Sequence, residues 1–174
     1  MCIRDRYKKL KNQWTGAITG KSLASGGSLT RTEATGYGLL YFVREMLSHM
    51  ANDNLIGKTT VISGSGNVAI YAAEKAQELG AKVVAMSDSN GYIVDENGIQ
   101  LDVVKEIKEV RRGRIREYVE KVPSAQYHEG CRGIWSIPCD IALPCATQNE
   151  LLLEDAQKLI QNGVKLVAEG ANMP

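Results

Sequence analysis

Short segments with two different spacings of apolar residues alternate along most of this 174-residue chain. Segments of β-branched or apolar residues with the length of a strand occur at 59–63, 83–86, 141–143 and 164–168. Helical spacing occurs at 34–49, 67–79, 101–110, 118–122 and 153–161. Parallel strands need helical crossovers, and these crossovers cover the sheet. The alternation therefore predicts an α/β fold with a doubly wound, mostly parallel sheet and helices on both faces.

The start of the first predicted helix carries two local signals. Thr30 and Glu33 form a T-x-x-E pattern, which is typical of a capping box before a helix. Gly36 and Gly38 then lie in the first turns, where glycine lowers helix stability. We therefore expect another element to pack closely against the helix backbone at these glycines.

A hairpin-like insertion is predicted after the second strand. Asp95-Glu96-Asn97-Gly98 contains the Asn-Gly pair that favours a tight turn between antiparallel strands. Tyr92-Ile93-Val94 precedes this turn and Ile99 follows it. The sequence therefore predicts that Ile99 pairs back toward 92–94.

The first predicted strand leads directly into the glycine-containing turn Gly64-Ser65-Gly66-Asn67-Val68-Ala69. This G-x-G-x-x-A pattern between a strand and a helix is the fingerprint of a Rossmann-like dinucleotide site. Gly64 permits the tight turn, Gly66 admits the pyrophosphate to the backbone, and Ala69 lets helix and strand pack closely. The helix N-terminus offers N–H groups to the phosphates. The alternatives are a purely structural turn or a site for another nucleoside such as S-adenosylmethionine.

Composition excludes several other classes of function. The formal net charge is +1, which provides no field for nucleic acid or an anionic membrane surface. No apolar run approaches the roughly 20 residues that span a bilayer, and no signal peptide is recognisable, so we expect a cytoplasmic protein. The four cysteines form no C-x-x-C pair and have no histidine at zinc spacing, which predicts free thiols and no metal site.

Four segments resemble one enzyme family in order and spacing: TGKSLASGGSLTRTEATGYG, VISGSGNVA, LPCATQNE and VAEGANMP. They are similar to the hexameric glutamate dehydrogenases of bacteria and lower eukaryotes, and the likeness runs from about residue 7 to residue 174. Residues 1–6 match nothing in that family. The resemblance implies that residues 1–28 combine a foreign start with the tail end of the substrate domain. Residues 29–174 are then a Rossmann dinucleotide-binding domain, truncated at its C-terminal end.

The family reaction is the reversible oxidative deamination of L-glutamate to 2-oxoglutarate and ammonia, with hydride transfer to a nicotinamide coenzyme. By resemblance, the cofactor contacts include Thr35, Asn67, Ala146, Thr147, Gln148 and Asn172, besides the neighbouring turn residues Gly64, Ser65, Gly66 and Val68. Arg31 matches a position that reaches the substrate in some members. The alternatives are a packed helical threonine at Thr35, helix initiation at Thr147 and Gln148, and a surface arginine at Arg31.

The resemblance also implies what this chain does not contain. The family's catalytic lysine and aspartate and its glutamate-binding lysines lie upstream of the sequence present, so no catalytic residue is nominated. We expect the chain as given to bind a dinucleotide without catalysing the reaction, and the full-length protein to form a hexamer. Two alternatives stay open: a nucleotide-sensing module without catalysis, and a dehydrogenase acting on leucine, valine or phenylalanine.

The choice between NADP and NAD depends on a few charged residues. Asp88 follows the second predicted strand, about 20 residues beyond Gly66, where an acidic residue binds the adenosine ribose and favours NAD. Against a 2′-phosphate, two unit charges ~4 Å apart repel by about 4 kcal/mol at an effective dielectric of 20. Ser89 can donate to phosphate oxygens, and Arg111 matches a basic residue of NADP-dependent relatives. We therefore predict NADP, with NAD as the alternative, although the arginines of 111–116 also fit a solvated helix end.

Overall fold

The computed structural model describes residues 10–12, 22–25 and 27–174. The chain divides into two compact units, Met1–Thr32 and Glu33–Pro174. In the first unit, a 3-10 turn spans Leu23–Ser25 and the N–H of Gly27 donates to the carbonyl of Ser22 at 2.9 Å. The interpretation of residues 1–28 falls largely outside the described residues and stays a prediction.

The second unit alternates helices and strands. Its helices are α1 (Ala34–Ala51), α2 (Asn67–Glu78), α3 (Leu101–Lys105), α4 (Tyr118–Lys121) and α5 (Leu153–Gln161). Its strands are β1 (Thr59–Ile62), β2 (Lys82–Ser87), β3 (Gly91–Val94), β4 (Gln126–Glu129), β5 (Ile141–Leu143) and β6 (Leu166–Val167). A π-helical turn (Glu106–Val110) continues α3, and 3-10 helices span Ile115–Glu117 and Cys131–Ser136.

The six strands form one sheet in the order β4-β3-β2-β1-β5-β6. Strands β2, β1, β5 and β6 run parallel, whereas β3 pairs antiparallel with both β2 and β4. The chain leaves β1 toward β2 on one side and later returns to β5 on the other. The predicted doubly wound, mostly parallel sheet is confirmed, and its switch point lies at β1.

Alternate residues of the central strands enter two hydrophobic cores, as the two-residue period of a strand requires. Ile62 and Met86 pack with the buried faces of α1, α2 and α3 on one side of the sheet. Val61 and Ala85 pack with Trp135 and with Leu159 of α5 on the other side. Both faces are therefore covered, which is why the central strands are apolar throughout. Among the described residues, none of the helices combines the length and apolarity that crossing a bilayer requires.

The predicted capping box at the start of α1 is wrong. Helix α1 begins after Glu33, whose side chain makes no capping hydrogen bond. The Thr30 hydroxyl donates to the neighbouring carbonyl of Leu29 at 2.7 Å, and Thr30 has a positive φ of 60°. A capping threonine would need an extended backbone, so this left-handed conformation prevents the motif.

The glycine prediction holds at one of the two positions in α1. A Cβ at Gly36 would lie 2.6 Å from the backbone nitrogen of Ala72, so α1 and α2 are in backbone contact there. Around Gly38, no heavy atom would lie within 4 Å of a Cβ. Close packing therefore explains Gly36, and the expectation for Gly38 is wrong.

The predicted pairing of Ile99 with 92–94 is also wrong. Strand β3 pairs with β2 and β4, and the N–H of Ile99 instead donates to the carbonyl of Val83 in β2 at 2.7 Å. The turn at Asp95–Gly98 does form, since the N–H of Gly98 donates to the carbonyl of Asp95. Sequence inspection missed β4, an exposed edge strand without an apolar repeat.

Candidate functional site

Three loops meet where β1, β2 and β5 end. The N–H of Gly64 donates to Oγ of Ser87 at 2.8 Å, which joins the loop after β1 to the end of β2. The N–H of Cys145 donates to Oγ of Ser63 at 2.9 Å, which joins the loop after β5 to β1. Both serines are buried. Two side-chain oxygens thus fix the three loops at the switch point, where open α/β sheets bind ligands.

The two glycines of the turn after β1 have different surroundings. Gly64 has a φ of 86°, and a Cβ there would meet Cα and Cβ of Ala146 at 3.1 Å. Gly66 is the N-cap of α2, has an extended backbone, and leaves open space where a Cβ would be. The first N–H groups of a helix have no partners within the helix. The turn therefore presents backbone donors beside a vacant volume, which suits a phosphate group.

A cavity of about 570 Å³ lies over this turn. Eight of the residues predicted for the cofactor site line it: Gly64, Ser65, Gly66, Asp88, Ser89, Ala146, Thr147 and Gln148. No helix begins at Thr147, since α5 starts only at Leu153, so the helix-initiation interpretation of Thr147 and Gln148 is wrong. The sequence motifs and the family resemblance thus located about half of the residues that line this cavity.

The other predicted residues lie outside this lining. Thr35 and Asn67 are exposed in the first turns of α1 and α2, and Asn172 is exposed after β6. Val68 packs against Gly170 in the segment after β6. A Cβ added to Gly170 would lie 3.0 Å from Cγ1 of Val68. Arg31 is exposed in the first unit. The roles of these residues stay predictions.

The carboxylate of Asp88 is engaged by protein groups. Its Oδ1 accepts hydrogen bonds from the N–H groups of Asn90 at 2.9 Å and Gly91 at 3.3 Å. Its Oδ2 accepts the N–H of Ile115 at 3.0 Å, and Nζ of Lys108 lies 3.8 Å away. The side chain is 6% exposed. These contacts fasten the turn after β2 to the 3-10 helix at 115–117 and offset the negative charge.

Two cations of the 106–116 segment face the cavity beside Ser89. Nη1 of Arg114 donates to Oγ of Ser89 at 2.9 Å, and Lys108 lies in the π-helical turn. Both cations line the cavity. Arg111 does not line it and forms an ion pair with Glu117 at 3.1 Å. A basic side chain near Asp88 was expected, but the structure places Lys108 and Arg114 there.

Sequence reasoning missed a second group of lining residues, from the segments around β4 and β5. Arg132 lines the cavity, and its Nε and Nη2 donate to the buried Asp155 at 3.1 and 2.6 Å. Trp135 also lines it and donates from Nε1 to the carbonyl of Glu150 at 3.2 Å. Arg132 and Trp135 carry no sequence signal. Glu150 does carry one, because Thr147 and Glu150 repeat the T-x-x-E spacing.

The cysteine nearest the turn is a neutral thiol. Burial raises the pKa of Cys145 far above its ordinary range, and burial likewise raises the pKa of Cys139 to about 11. Among the described cysteines, Cys131, Cys139 and Cys145 are free. A thiolate nucleophile is therefore disfavoured at Cys145, because the charged form would lack solvation.

Parallel strands, a switch point at β1 and a glycine turn leading into a helix define the chain as Rossmann-like. Residues 26–174 match the family model described as Glutamate/Leucine/Phenylalanine/Valine dehydrogenase. The chain is 55% identical over 175 residues to the NADP-specific glutamate dehydrogenase of Helicobacter pylori, covering 97% of this chain and 39% of that protein. It is 58% identical over 170 residues to that of Haemophilus influenzae, covering 96% and 37%.

Solved structures give the same answer. Glutamate dehydrogenase from Plasmodium falciparum superposes with a TM-score of 0.87 and 45% identity, over 99% of this chain and 37% of that one. A hetero-hexameric glutamate dehydrogenase from Thermus thermophilus superposes at 0.71 with 26% identity, over 98% and 39%. The chain therefore belongs to the glutamate/leucine/phenylalanine/valine dehydrogenase family, and it spans about two fifths of the length of these relatives.

Proposed function

We propose that this chain supplies the coenzyme-binding part of an NADP-dependent glutamate dehydrogenase. The reaction is the reversible oxidative deamination of L-glutamate to 2-oxoglutarate and ammonia, and the bound nicotinamide accepts or returns the hydride. One observation carries the proposal: the cavity over the glycine turn has Ser89, Lys108 and Arg114 in its lining. The identity of 53–58% to three bacterial NADP-specific glutamate dehydrogenases favours glutamate over leucine, valine or phenylalanine.

The residues of the cavity fit a dinucleotide. The open space at Gly66 and the N–H groups at the start of α2 suit the pyrophosphate. Ala146, Thr147 and Gln148 line the other side of the crevice, beyond β5. A volume of about 570 Å³ lies within the usual range of roughly 300–1,000 Å³ for ligand pockets.

The charges near Asp88 support NADP over NAD. An acidic residue after the second strand normally accepts the ribose hydroxyls and repels a 2′-phosphate. Here three backbone N–H groups and Lys108 engage that carboxylate, so its availability and its repulsion are both reduced. Lys108 and Arg114 would hold the 2′-phosphate, and arginine can grip a phosphate with two donors. The Ser89 hydroxyl would add a further donor.

Calorimetric titration with NADPH and NADH tests this proposal. We expect NADPH to bind at least tenfold more tightly, about 1.4 kcal/mol. Arg114→Ala and Lys108→Ala should each remove most of that preference and leave NADH affinity nearly unchanged. Arg111→Ala measures how far the predicted Arg111 contributes. Arg44→Ala, which removes one positive charge from α1, is the control. If neither coenzyme binds, the dinucleotide proposal fails; if both bind equally, the NADP assignment fails.

The assembly and location belong to the same proposal. A hexamer is supported by the family membership and by the hexameric relative from Thermus thermophilus. The cytoplasm is supported by the free cysteines, since a reducing compartment keeps thiols reduced. Light scattering of the complete protein tests the assembly, and a monomer at micromolar concentration would contradict it.

A further inference from the structure

The loop at residues 146–149 lines the cavity without any regular secondary structure of its own. All four of its residues are exposed, and three of them were predicted to contact the coenzyme. A loop with so little burial needs specific contacts to keep one shape, because ordering each residue costs about 1–2 kcal/mol. The contacts that hold this loop therefore decide how well the crevice is prepared for its ligand.

One side chain provides two of these contacts. Oε1 of Glu150 accepts the N–H of Ala146 at 3.0 Å and the N–H of Thr147 at 3.3 Å. The carboxylate thus reaches back over its own loop and closes it into a compact turn. Hydrogen bonds to an ionised acceptor are stronger than neutral ones. Without Glu150, both N–H groups would lose their protein partner.

Glu150 is itself fixed through its backbone. Its carbonyl accepts the N–H at Nε1 of Trp135, a buried residue of the second hydrophobic core. At the far end of the loop, the N–H of Asn149 donates to the carbonyl of Met173 at 3.0 Å. Glu150 therefore links the exposed loop to the buried Trp135: its carbonyl binds the indole, and its carboxylate binds the loop.

The loop in turn sets the width of the crevice. Ala146 is the nearest neighbour of the space beside Gly64, because a Cβ added to Gly64 would lie 3.1 Å from Cα and Cβ of Ala146. The backbone N–H of the preceding residue, Cys145, donates a hydrogen bond to Oγ of Ser63. A shift of Ala146 would change the separation between the loop after β5 and the glycine turn after β1.

We propose that Glu150 is a positioning residue that holds the 146–149 loop in the shape that receives the dinucleotide. This inference rests on the proposed coenzyme function. Glu150 also lines the cavity, so its negative charge acts against the anionic ligand. The two effects have opposite signs: loss of the loop contacts weakens binding, whereas loss of the charge alone strengthens it.

Glu150→Ala and Glu150→Gln separate these effects. Glutamine keeps an Oε1 acceptor for both N–H groups but removes the charge. We expect Glu150→Ala to raise the Kd for NADPH by five- to twentyfold, and Glu150→Gln to leave it within threefold of the wild type. Glu120→Ala, an exposed carboxylate of α4 outside the cavity lining, is the matched control and should leave the Kd unchanged.

Amide hydrogen exchange gives a second readout that does not need a ligand. In Glu150→Ala, exchange at Ala146 and Thr147 should accelerate by tenfold or more, while Cys145, which is bonded to Ser63, keeps its protection. A wild-type chain that binds no dinucleotide would overturn the coenzyme proposal. A wild type that binds, with equal affinity in Glu150→Ala or tighter affinity in both variants, would overturn the role of Glu150.

Discussion

Gly36 and Gly66 stand near the starts of two neighbouring helices, but their surroundings are opposite. At Gly36, a Cβ would lie 2.6–2.8 Å from backbone atoms of α2, including the nitrogen of Ala72. At Gly66, no heavy atom would lie within 4 Å. Gly36 is buried and Gly66 is exposed. The same residue type is thus required by packing at one site and leaves an open surface at the other.

The difference separates stability from binding. A close-packed glycine lets two helices approach, so a larger residue there must push them apart. An open glycine at a helix N-terminus contributes little to packing, and its value lies in the room it leaves for a ligand. Substitution at the two glycines should therefore affect two different measurements.

The largest effect is expected for Gly36→Ala. The added Cβ would contact the backbone of α2, which cannot rotate away as a flexible side chain can. Overpacking of this kind typically costs 1–3 kcal/mol, and we expect about 3 kcal/mol here. Urea unfolding of this chain measures the change in the free energy of unfolding.

Gly38→Ala is the matched control, since it lies two residues further along α1 with open space around it. Alanine should stabilise the helix there by up to about 1 kcal/mol. Equal unfolding free energies for the two variants would show that the contact between α1 and α2 does not depend on Gly36.

Gly66→Val should weaken coenzyme binding and leave the stability of the fold nearly unchanged. Its extended backbone, with φ −86° and ψ −173°, is accessible to valine, so the free energy of unfolding should change by less than about 1 kcal/mol. The branched side chain would fill the space proposed for the pyrophosphate. We expect at least a 100-fold loss of NADPH affinity, about 2.7 kcal/mol. Unchanged affinity by calorimetry would mean that the turn is only structural.

Gly64 combines both situations, and Gly64→Ala should affect both measurements. Its φ of 86° is a left-handed conformation that costs other residues roughly 1–2 kcal/mol. The added Cβ would also press on Ala146 at 3.1 Å and disturb the opposite wall of the crevice. We expect about 1–2 kcal/mol of destabilisation with a several-fold weaker NADPH affinity. A loss in only one of the two measurements would contradict this intermediate position.

The sequence predicted those parts of the fold that depend on local patterns. Continuous runs of apolar and β-branched residues identified β1, β2 and β5, because parallel strands that are buried on both faces are apolar throughout. The same logic failed for β4, whose residues are half-buried or exposed at the sheet edge. Edge pairing is decided by the neighbouring strand β3, and a single segment carries no signal for it.

The capping pattern shows how one signal can succeed and fail in the same chain. Thr30 and Glu33 match T-x-x-E but form no capping box. Thr147 and Glu150 match it as well, and there Glu150 accepts the N–H of Thr147 although no helix follows. The backbone conformation decides between these outcomes, and it is set by tertiary contacts that the four residues do not encode.

The basic residues near the cavity show where assignment by resemblance stops. Resemblance selected Arg111, yet Lys108 and Arg114 line the cavity while Arg111 pairs with Glu117. The segment 106–110 is a π-helix, whose wider turn changes which side chains share a face. A resemblance therefore fixes the position of Arg111 along the chain, whereas the local backbone decides which basic side chains face the cavity.

The contact between α1 and α2 also has a polar edge, and it predicts the smallest effect, a pH dependence of stability. Tyr37, beside Gly36, donates to Glu74 of α2, and Lys105 of α3 pairs with the other oxygen. The hydrogen bond from Lys105, followed by that from Tyr37, lowers the pKa of Glu74 below 4.5. A lowered folded-state pKa stabilises the fold above the unfolded pKa, and this stability is lost as the pH falls through the folded pKa. Both side chains of the ion pair are 29% exposed, so we expect at most about 1 kcal/mol. Glu74→Gln should flatten the fall in the free energy of unfolding as the pH drops from about 5 through the lowered pKa of Glu74, whereas Glu120→Gln should not. The free energy of unfolding is measured with urea at each pH. The same pH dependence in the wild type and in Glu74→Gln would show that this polar edge adds nothing to the contact that Gly36 makes possible.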